Sequence, residues 1–321
     1  QRNQFNLGQS LFFGVSTNQA RYTYTSDGTT ISTAPAIGVG DIAYYGNDDG
    51  TFIAIDQAGN ELWRFQAGGG IQSSPLISAD GVVYFGANDG FIYGLNTLKD
   101  GEEVFNFEVG GSVDTSMVMN SNGDLYVTTT QGNLVGVSVT NNAPLFSTSL
   151  VNGLTSPVLG GGGNIYVASS NGHVFRLDSQ GVVVFDVTVA TTINSVSDPL
   201  LIQDQNLLLV GADDKNIYAV NSETGGLQGF EAFSGAIAGT PAYSESMNAM
   251  FFGTNSGDFV GFDFASRSAL FTATIGAPIT SPAVLSADNK IYFTTDDGRL
   301  LCLNAFGGVV FEFDFANGGG G

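Results

Sequence analysis

The chain is built from one unit that recurs seven times. Six of its eight prolines fall in the same phase of this unit, and Met117 takes the equivalent place in the third copy. The prolines concerned are Pro35, Pro75, Pro157, Pro199, Pro241 and Pro282. Neighbouring copies are 40 to 42 residues apart. A period of this length indicates a repeat architecture, in which every copy folds into the same small group of elements.

Each copy predicts four short strands, which we name A to D in chain order. Strand A begins at the proline, where a missing N–H costs least. Strands B and C are apolar runs separated by a tight turn, as in VVYFG and FIYGLN of the second copy. Strand D carries an aromatic residue in every copy: Trp63, Phe105, Phe146, Phe185, Phe230, Phe271 and Phe311. Four strands in about 40 residues are typical of a propeller blade. We therefore predict an all-β fold, a seven-bladed β-propeller of four-stranded antiparallel blades.

The two ends of the chain predict how the propeller closes. We divide the chain into an N-terminal leader at 1–19, the propeller at 20–315 and a Gly-rich tail or linker at 316–321. An eighth D-like segment, ARYTYT at 20–25, precedes the first copy. Because propellers often close by pairing strands from both termini, we expect this segment at the edge of the last blade. It competes there with VVFEFDF at 309–315, and the surplus strand would be free to pair with another chain.

One family resembles this pattern. The stretch SSPLISADGVVYFGANDGFIYGLN, residues 73–96, is similar to the repeat of pyrroloquinoline-quinone-type (PQQ-like) β-propellers, and the resemblance covers roughly residues 20–315. The family includes quinone dehydrogenases, outer-membrane assembly lipoproteins and scaffolds, so the motif implies a fold and not one function. The quinone enzymes carry a Trp in most blades, an adjacent-cysteine disulfide and a calcium–carboxylate site. Here Trp63 and Cys302 are the only residues of their types. We therefore expect no cofactor.

Recurrent carboxylates predict turns and not a metal site. Asp49, Asp89 and Asp297 lie in B–C turns of the type NDDG, ANDG and TDDG, which we expect to be primed hairpin turns. The EF-hand spacing is absent. Strand C ends in Asp or Asn in six copies, at Asp56, Asn96, Asp178, Asn221, Asp263 and Asn304. We expect these side chains to bind backbone N–H groups of the next turn. The GGGG run at 160–163 aligns with an A–B turn.

Three other residues have side chains of types that take part in chemistry. His173 is the sole histidine and begins a C strand, so we interpret it as a solvated turn residue. Cys302 occupies a strand C position that is Ala or Gly in five copies, which predicts a small buried residue. Arg176 takes the same position in the fourth copy, where it either has an acid partner or reaches solvent along an edge. We predict no catalytic, cofactor-binding or metal-binding residue.

The charge composition restricts the class of partner. Nine Lys and Arg stand against 30 acids, a net charge of −21, which disfavours nucleic acid. No apolar run is long enough to span a membrane. The chain begins at Gln1 and not at Met, which suggests a removed signal peptide or a trimmed chain. We predict a non-catalytic, secreted or cell-envelope scaffold that binds proteins, including copies of itself. A PQQ-dependent dehydrogenase and a subunit of a surface polymer are the alternatives.

Overall fold

The computed structural model describes Tyr24 and residues 30–315. Within this part of the chain, 28 strands form seven four-stranded antiparallel sheets. Helical structure among the described residues is limited to three single turns of 3-10 helix, at Val39–Asp41, Gly161–Gly163 and Gln203–Gln205. The prediction of an all-β, seven-bladed propeller with four-stranded blades is confirmed.

Each sheet is made of four strands that follow one another in the chain. The first sheet has β1 Ala36–Ile37, β2 Ala43–Gly46, β3 Thr51–Ile55 and β4 Glu61–Gln66. The second has β5 Leu76–Ile77, β6 Val82–Gly86, β7 Phe91–Asn96 and β8 Glu102–Glu108. The third has β9 Val118–Met119, β10 Leu125–Thr128, β11 Asn133–Ser138 and β12 Ala143–Ser149. The fourth has β13 Val158–Leu159, β14 Ile165–Ala168, β15 His173–Leu177 and β16 Val183–Thr188.

The remaining three sheets follow the same order. The fifth has β17 Leu200–Ile202, β18 Leu207–Gly211, β19 Asn216–Asn221 and β20 Leu227–Ala232. The sixth has β21 Ala242–Ser244, β22 Ala249–Gly253, β23 Asp258–Asp263 and β24 Ser268–Thr274. The seventh has β25 Val284–Leu285, β26 Ile291–Thr294, β27 Arg299–Leu303 and β28 Val309–Asp314. The chain forms two compact units, one with the first three sheets and one with the last three, and the fourth sheet has residues in both.

Aromatic rings from neighbouring sheets form the core of each unit. In the unit that holds the first three sheets, the ring of Phe52 on the first sheet stacks on the ring of Phe85 on the second, with 4.1 Å between the ring centroids. In the unit with the last sheets, Phe259 and Phe293 stack at the same 4.1 Å. All four side chains are buried. Stacked rings of this kind add to the apolar area that each sheet buries against the next.

The fourth strand of the last sheet is β28, which pairs with β27 from Arg299↔Asp314 to Leu303↔Val309. Residues 309–314 are therefore an integral blade strand and not the surplus strand. The competing segment at 20–25 lies outside the described residues except for Tyr24. The Tyr24 hydroxyl donates a hydrogen bond to Glu61 Oε2 on β4 at 2.8 Å.

A β-bulge interrupts strand D in the six sheets for which the pairing is described. The bulged residue has no cross-strand partner: Leu62, Val104, Leu145, Gln228, Leu270 and Val310. The residue after the bulge faces the small strand C residue, as in Ala54↔Trp63, Gly94↔Phe105 and Cys302↔Phe311. The small residue is needed because the ring packs against it. A β-carbon on Gly94 would lie 2.8 Å from Phe105 Cβ.

One predicted residue does not occupy this position. In the fifth sheet the residue opposite Ala219 is Gly229, and Phe230 pairs one place further along with Tyr218. Phe230 is 56% exposed, whereas Phe105 is 6% exposed. Phe230 lies on strand D as predicted, but its ring is not packed against the small strand C residue. The position after the bulge, which holds the ring in the other five sheets, is Gly229 here, and the ring stands one residue further along.

Candidate interaction surface

Exposed apolar side chains concentrate at one end of the sheets. In an antiparallel sheet, the A–B and C–D turns lie at the same end and the B–C turn lies at the other. We call the end with the A–B and C–D turns, together with the strand residues next to them, the apolar end of a sheet. It holds 14 of the 17 large hydrophobic residues that are exposed in the described chain. They are Ile37, Val39, Leu62, Leu98, Val104, Leu145, Val182, Val183, Val184, Leu227, Leu270, Phe306, Val309 and Val310.

The exceptions are Ile31, Phe230 and Phe315. Surface hydrophobic residues that are scattered singly are ordinary, but their concentration at one end of a repeat is not. Such a distribution indicates an interaction surface on each sheet.

The most exposed of these residues is Val39, at 91% in an A–B turn, and the next two lie in C–D turns that are fixed by the residue ending strand C. Phe306 is 83% exposed and Leu98 is 79% exposed. The Asn304 side-chain oxygen accepts hydrogen bonds from the N–H groups of Phe306 at 2.9 Å and Gly308 at 3.0 Å. Asn96 accepts from Leu98 N–H at 2.9 Å. These bonds fix the backbone on which the exposed side chains are presented.

The expectation for the residue that ends strand C is confirmed. In the other four sheets where it is Asp or Asn, its oxygen also accepts backbone N–H groups of the next turn at 2.8 to 3.0 Å. The side-chain amide of Asn60 and its backbone N–H lower the pKa of Asp56. Ser266 lowers the pKa of Asp263 in the same way. These carboxylates cap turns.

The apolar ends are surrounded by negative charge. Exposed acids in their turns are Asp41, Asp80, Asp100, Asp204, Glu223 and Glu245. The bases in the same turns are already in ion pairs with acids: Lys99 with Glu102 at 3.2 Å, Lys290 with Asp288 at 2.9 Å, and Arg267 with Glu231. The turns at the apolar ends therefore carry net negative charge.

The B–C turns at the opposite end are hairpin turns of a different kind from those predicted. Asp89 does not have a positive φ; only Gly90 does, at 89°. The Gly90 N–H donates to Ala87 O at 3.1 Å, and Ala87 N–H donates to Phe91 O at 3.0 Å. This is a three-residue loop with glycine in the left-handed region, not a primed two-residue turn. With three loop residues in place of two, only the last residue of the loop has a positive φ, so glycine is needed only there.

The carboxylates of these turns accept hydrogen bonds from nearby residues of the same hairpin. Asp89 accepts from Phe91 N–H at 3.1 Å and from the Tyr93 hydroxyl at 2.6 Å. Asp49 accepts from Thr51 N–H at 2.8 Å. Asp297 accepts from Arg299 Nε at 2.9 Å. Among the described residues, no three His, Cys, Asp or Glu side chains are grouped as metal ligands would be. The GGGG run connects β13 to β14, as predicted for an A–B turn.

The three other candidate residues have structural environments. His173 begins β15, and its Nδ1 lies 2.7 Å from Asp186 Oδ1. Cys302 is fully buried between strand neighbours, and burial raises the pKa of its thiol. The Arg176 side chain is only 13% exposed, and its Nη1 donates to Glu223 O at 2.7 Å and lies 3.1 Å from Glu223 Oε2. Arg176 therefore has the acid partner that its burial requires.

The concentration of exposed apolar residues at the apolar ends was not predicted from the sequence. A signal was present: an apolar residue precedes the strand D aromatic in six copies, as in Leu62–Trp63 and Val310–Phe311. Adjacent strand residues face opposite sides, and a bulge leaves the first of the two without a partner. The bulged apolar residues are between 41% and 48% exposed.

Among the described residues, no helix is long and apolar enough to cross a membrane.

Comparison with known proteins identifies the family. No curated protein matches the sequence significantly. The crystal structure of BamB from Moraxella catarrhalis superposes with a TM-score of 0.63 at 20% identity, covering 75% of this chain and 72% of that one. The computationally designed Ika8 protein gives a TM-score of 0.77 at 15% identity, covering 91% and 89%.

The family match spans most of the sequence. Residues 17–119 and 99–311 match the family described as outer membrane protein assembly factor BamB. This match and the superposition on a BamB structure agree with the resemblance carried by residues 73–96. The chain therefore belongs to this family of PQQ-like β-propellers.

Proposed function

We propose that the protein is a non-catalytic scaffold of the cell envelope that binds protein partners through the apolar ends of its sheets. The observation that carries the proposal is the concentration of exposed apolar residues at one end, where 14 of the 17 in the described chain lie, on a fold whose family is described as an outer membrane protein assembly factor. The family description supports a location in the cell envelope and a role in assembling other proteins. The apolar ends provide a surface that could bind such partners.

The partner class follows from the chemistry of these ends. Leu98 and Phe306 are the strongest candidates for anchors because each is about four-fifths exposed on a turn that a strand C side chain fixes. Acids such as Asp100 and Glu245 lie in the same kind of turn, so a partner with basic residues around an apolar patch fits best. Charge attraction would speed the encounter and weaken as salt rises, whereas the buried apolar contacts would set the lifetime of the complex.

The test replaces anchors at one end and compares them with a control at the other. Leu98→Ser and Phe306→Ser remove exposed apolar side chains from the apolar ends. Phe315→Ser removes a 58% exposed ring from the opposite end of the last sheet. Each variant would be expressed in the source cell and cross-linked, and its bound proteins identified by mass spectrometry. We expect envelope proteins that Leu98→Ser and Phe306→Ser lose and Phe315→Ser keeps.

Equal loss with all three variants, at unchanged melting temperature, would refute the assignment of the surface. The non-catalytic part of the proposal has a separate test. Titration with pyrroloquinoline quinone and calcium, followed by absorbance, should show no saturable binding. Micromolar binding would instead support the dehydrogenase alternative.

A further inference from the structure

A cavity of about 180 Å³ that is open to solvent on one side lies between the fifth and sixth sheets, which belong to the same compact unit. Its walls are apolar and come from both sheets: Leu207, Leu209, Ile217, Met250, Phe262 and Phe264. Polar groups of Gln228, Glu231 and Arg267 also line it. The exposed Phe230 lies beside them.

The cavity exists because the fifth sheet lacks two rings that other sheets have. The small strand C residue is normally flanked by an aromatic residue on strand B and another on strand D. In the first sheet Ala54 faces Tyr44 and Trp63, and in the sixth Gly261 faces Phe251 and Phe271. In the fifth sheet Ala219 faces Leu209 and Gly229. The missing ring volume is what opens the space.

The turn that would cover the missing ring has changed as well. In four sheets a glycine with positive φ in the C–D turn lies against the strand D ring of the preceding sheet. Built β-carbons on Gly101 and Gly307 would lie 2.5 Å from Trp63 Cε3 and 2.4 Å from Phe271 Cδ2. The sixth sheet has Arg267 there, at a φ of 52°. A non-glycine residue in this region is strained, so Arg267 holds a guanidinium at the cavity at some cost.

We propose that this cavity binds the single aromatic ring of a small molecule that carries a polar substituent. An apolar cavity of about 150 Å³ in another protein is known to accept benzene. Phe262 and Phe264 cross edge to face at 6.0 Å, and such ring faces and edges favour a further aromatic partner. The ligand ring takes the place of the ring that the fifth sheet lacks.

The polar substituent is assigned from the charged pair at the cavity. Arg267 Nε donates to Glu231 Oε1 at 2.8 Å, and their side chains are 67% and 34% exposed. The pair therefore lies on the solvent side of the apolar walls. A phenolic hydroxyl can donate to the Glu231 carboxylate or accept from the Arg267 guanidinium or the Gln228 amide. A phenol is thus favoured over an unsubstituted ring of the same size.

The experiment uses the full chain labelled with ¹³C at its methionine methyl groups. Met250 lines the cavity, whereas Met117 is buried in the other compact unit and serves as an internal reference. The probe is p-cresol, with toluene as its unsubstituted counterpart. We expect a saturable shift of the Met250 signal with p-cresol, a dissociation constant several-fold weaker for toluene, and no shift of Met117.

Variants separate binding from a simple packing defect. Leu209→Phe restores the strand B ring found in the sixth sheet and fills the cavity, so it should abolish the Met250 shift without lowering the melting temperature. Ile31→Phe adds a ring at a 44% exposed residue outside the cavity and outside the apolar ends, and should leave binding unchanged. An unshifted Met250 at millimolar p-cresol, or equal shifts of Met250 and Met117, would overturn the proposal. A shift with N-acetyl-tyrosine amide but not with p-cresol would assign the site to a protein side chain and overturn the small-molecule ligand.

Discussion

Replacing Gly101 by alanine tests whether the strand D ring depends on the next sheet for its docking. Gly101 is buried in the C–D turn of the second sheet with a φ of 76°. Its Cα supports the ring of Trp63, since an added β-carbon would meet Cε3 at 2.5 Å and Cζ3 at 2.8 Å. Ordinary carbon contacts are about 3.5–4.0 Å. Gly110 is the matched control, because it has the same φ of 76° and nothing within 4 Å of an added β-carbon.

The two variants share one cost and differ in another. Alanine at positive φ costs roughly 1–2 kcal/mol in the folded state. Loss of glycine's freedom in the unfolded chain offsets about 0.4–1 kcal/mol of this. Gly110→Ala should therefore lower the free energy of unfolding by roughly 1 kcal/mol. Gly101→Ala adds the displacement of a Trp63 ring that is only 9% exposed, and overpacking of this kind costs about 1–3 kcal/mol more.

Urea unfolding measures both variants with one intrinsic probe. Trp63 is the only tryptophan, so fluorescence reports its burial directly and circular dichroism reports the sheets. We expect a red-shifted emission in native Gly101→Ala and unchanged emission in Gly110→Ala. Equal stability losses with unchanged emission in both variants would refute the docking of Trp63 on this turn.

Further outcomes follow from burial and charge. The Cys302 thiol should react with a disulfide reagent only at the rate of unfolding, because burial both covers it and raises its pKa; rapid stoichiometric reaction of the native protein would contradict this. The lowered pKa of Asp56 contributes stability above its usual range that is lost as pH falls through the folded pKa, so the stability difference between the wild type and Asp56→Asn, measured in urea, should shrink on acidification. If Asp49, Asp89 and Asp297 only shape turns, a chelator should leave the melting temperature unchanged, whereas an ion at 100 times its Kd would add about 2.7 kcal/mol.

The sequence predicts the repeat well because the same physical constraints recur in every copy. Strand A starts near a proline, strand C ends in a turn-capping Asp or Asn, and the position opposite the ring must be small. Cys302 could be assigned as buried for this reason. The exposure of Phe230 was not predicted, because the residue after the bulge is Gly229 and the sequence does not mark where the bulge falls. Residues one apart on a strand face opposite sides, so this shift of one place leaves the Phe230 ring exposed.

The candidate surface was harder to predict because exposure is a property of three-dimensional packing. Leu98 and Phe306 lie in turns whose sequences look like ordinary strand-ending turns that contain one apolar residue each. Arg176 was left open between two outcomes because its partner, Glu223, lies on the next copy of the repeat. The B–C turns were assigned to the right hairpins with the wrong turn type, since Asp-Gly fits both a primed turn and a longer loop with glycine in its last position.

The outer strands bear on which kind of partner the protein can hold. An open sheet edge invites strand addition, and a bulge is one of the devices that interrupts such an edge. In the third sheet the bulge at Leu145 leaves only Phe146–Ser149 of β12 as a regular edge. The same bulge exposes its apolar side chain at the apolar end of the sheet. The bulge at Leu145 thus makes β12 a poorer template for pairing with a strand of another chain. The same bulge adds an exposed apolar side chain with which a partner's side chains can make contact. Partner binding through side chains at the apolar ends is therefore favoured over strand addition at the outer strands of these sheets.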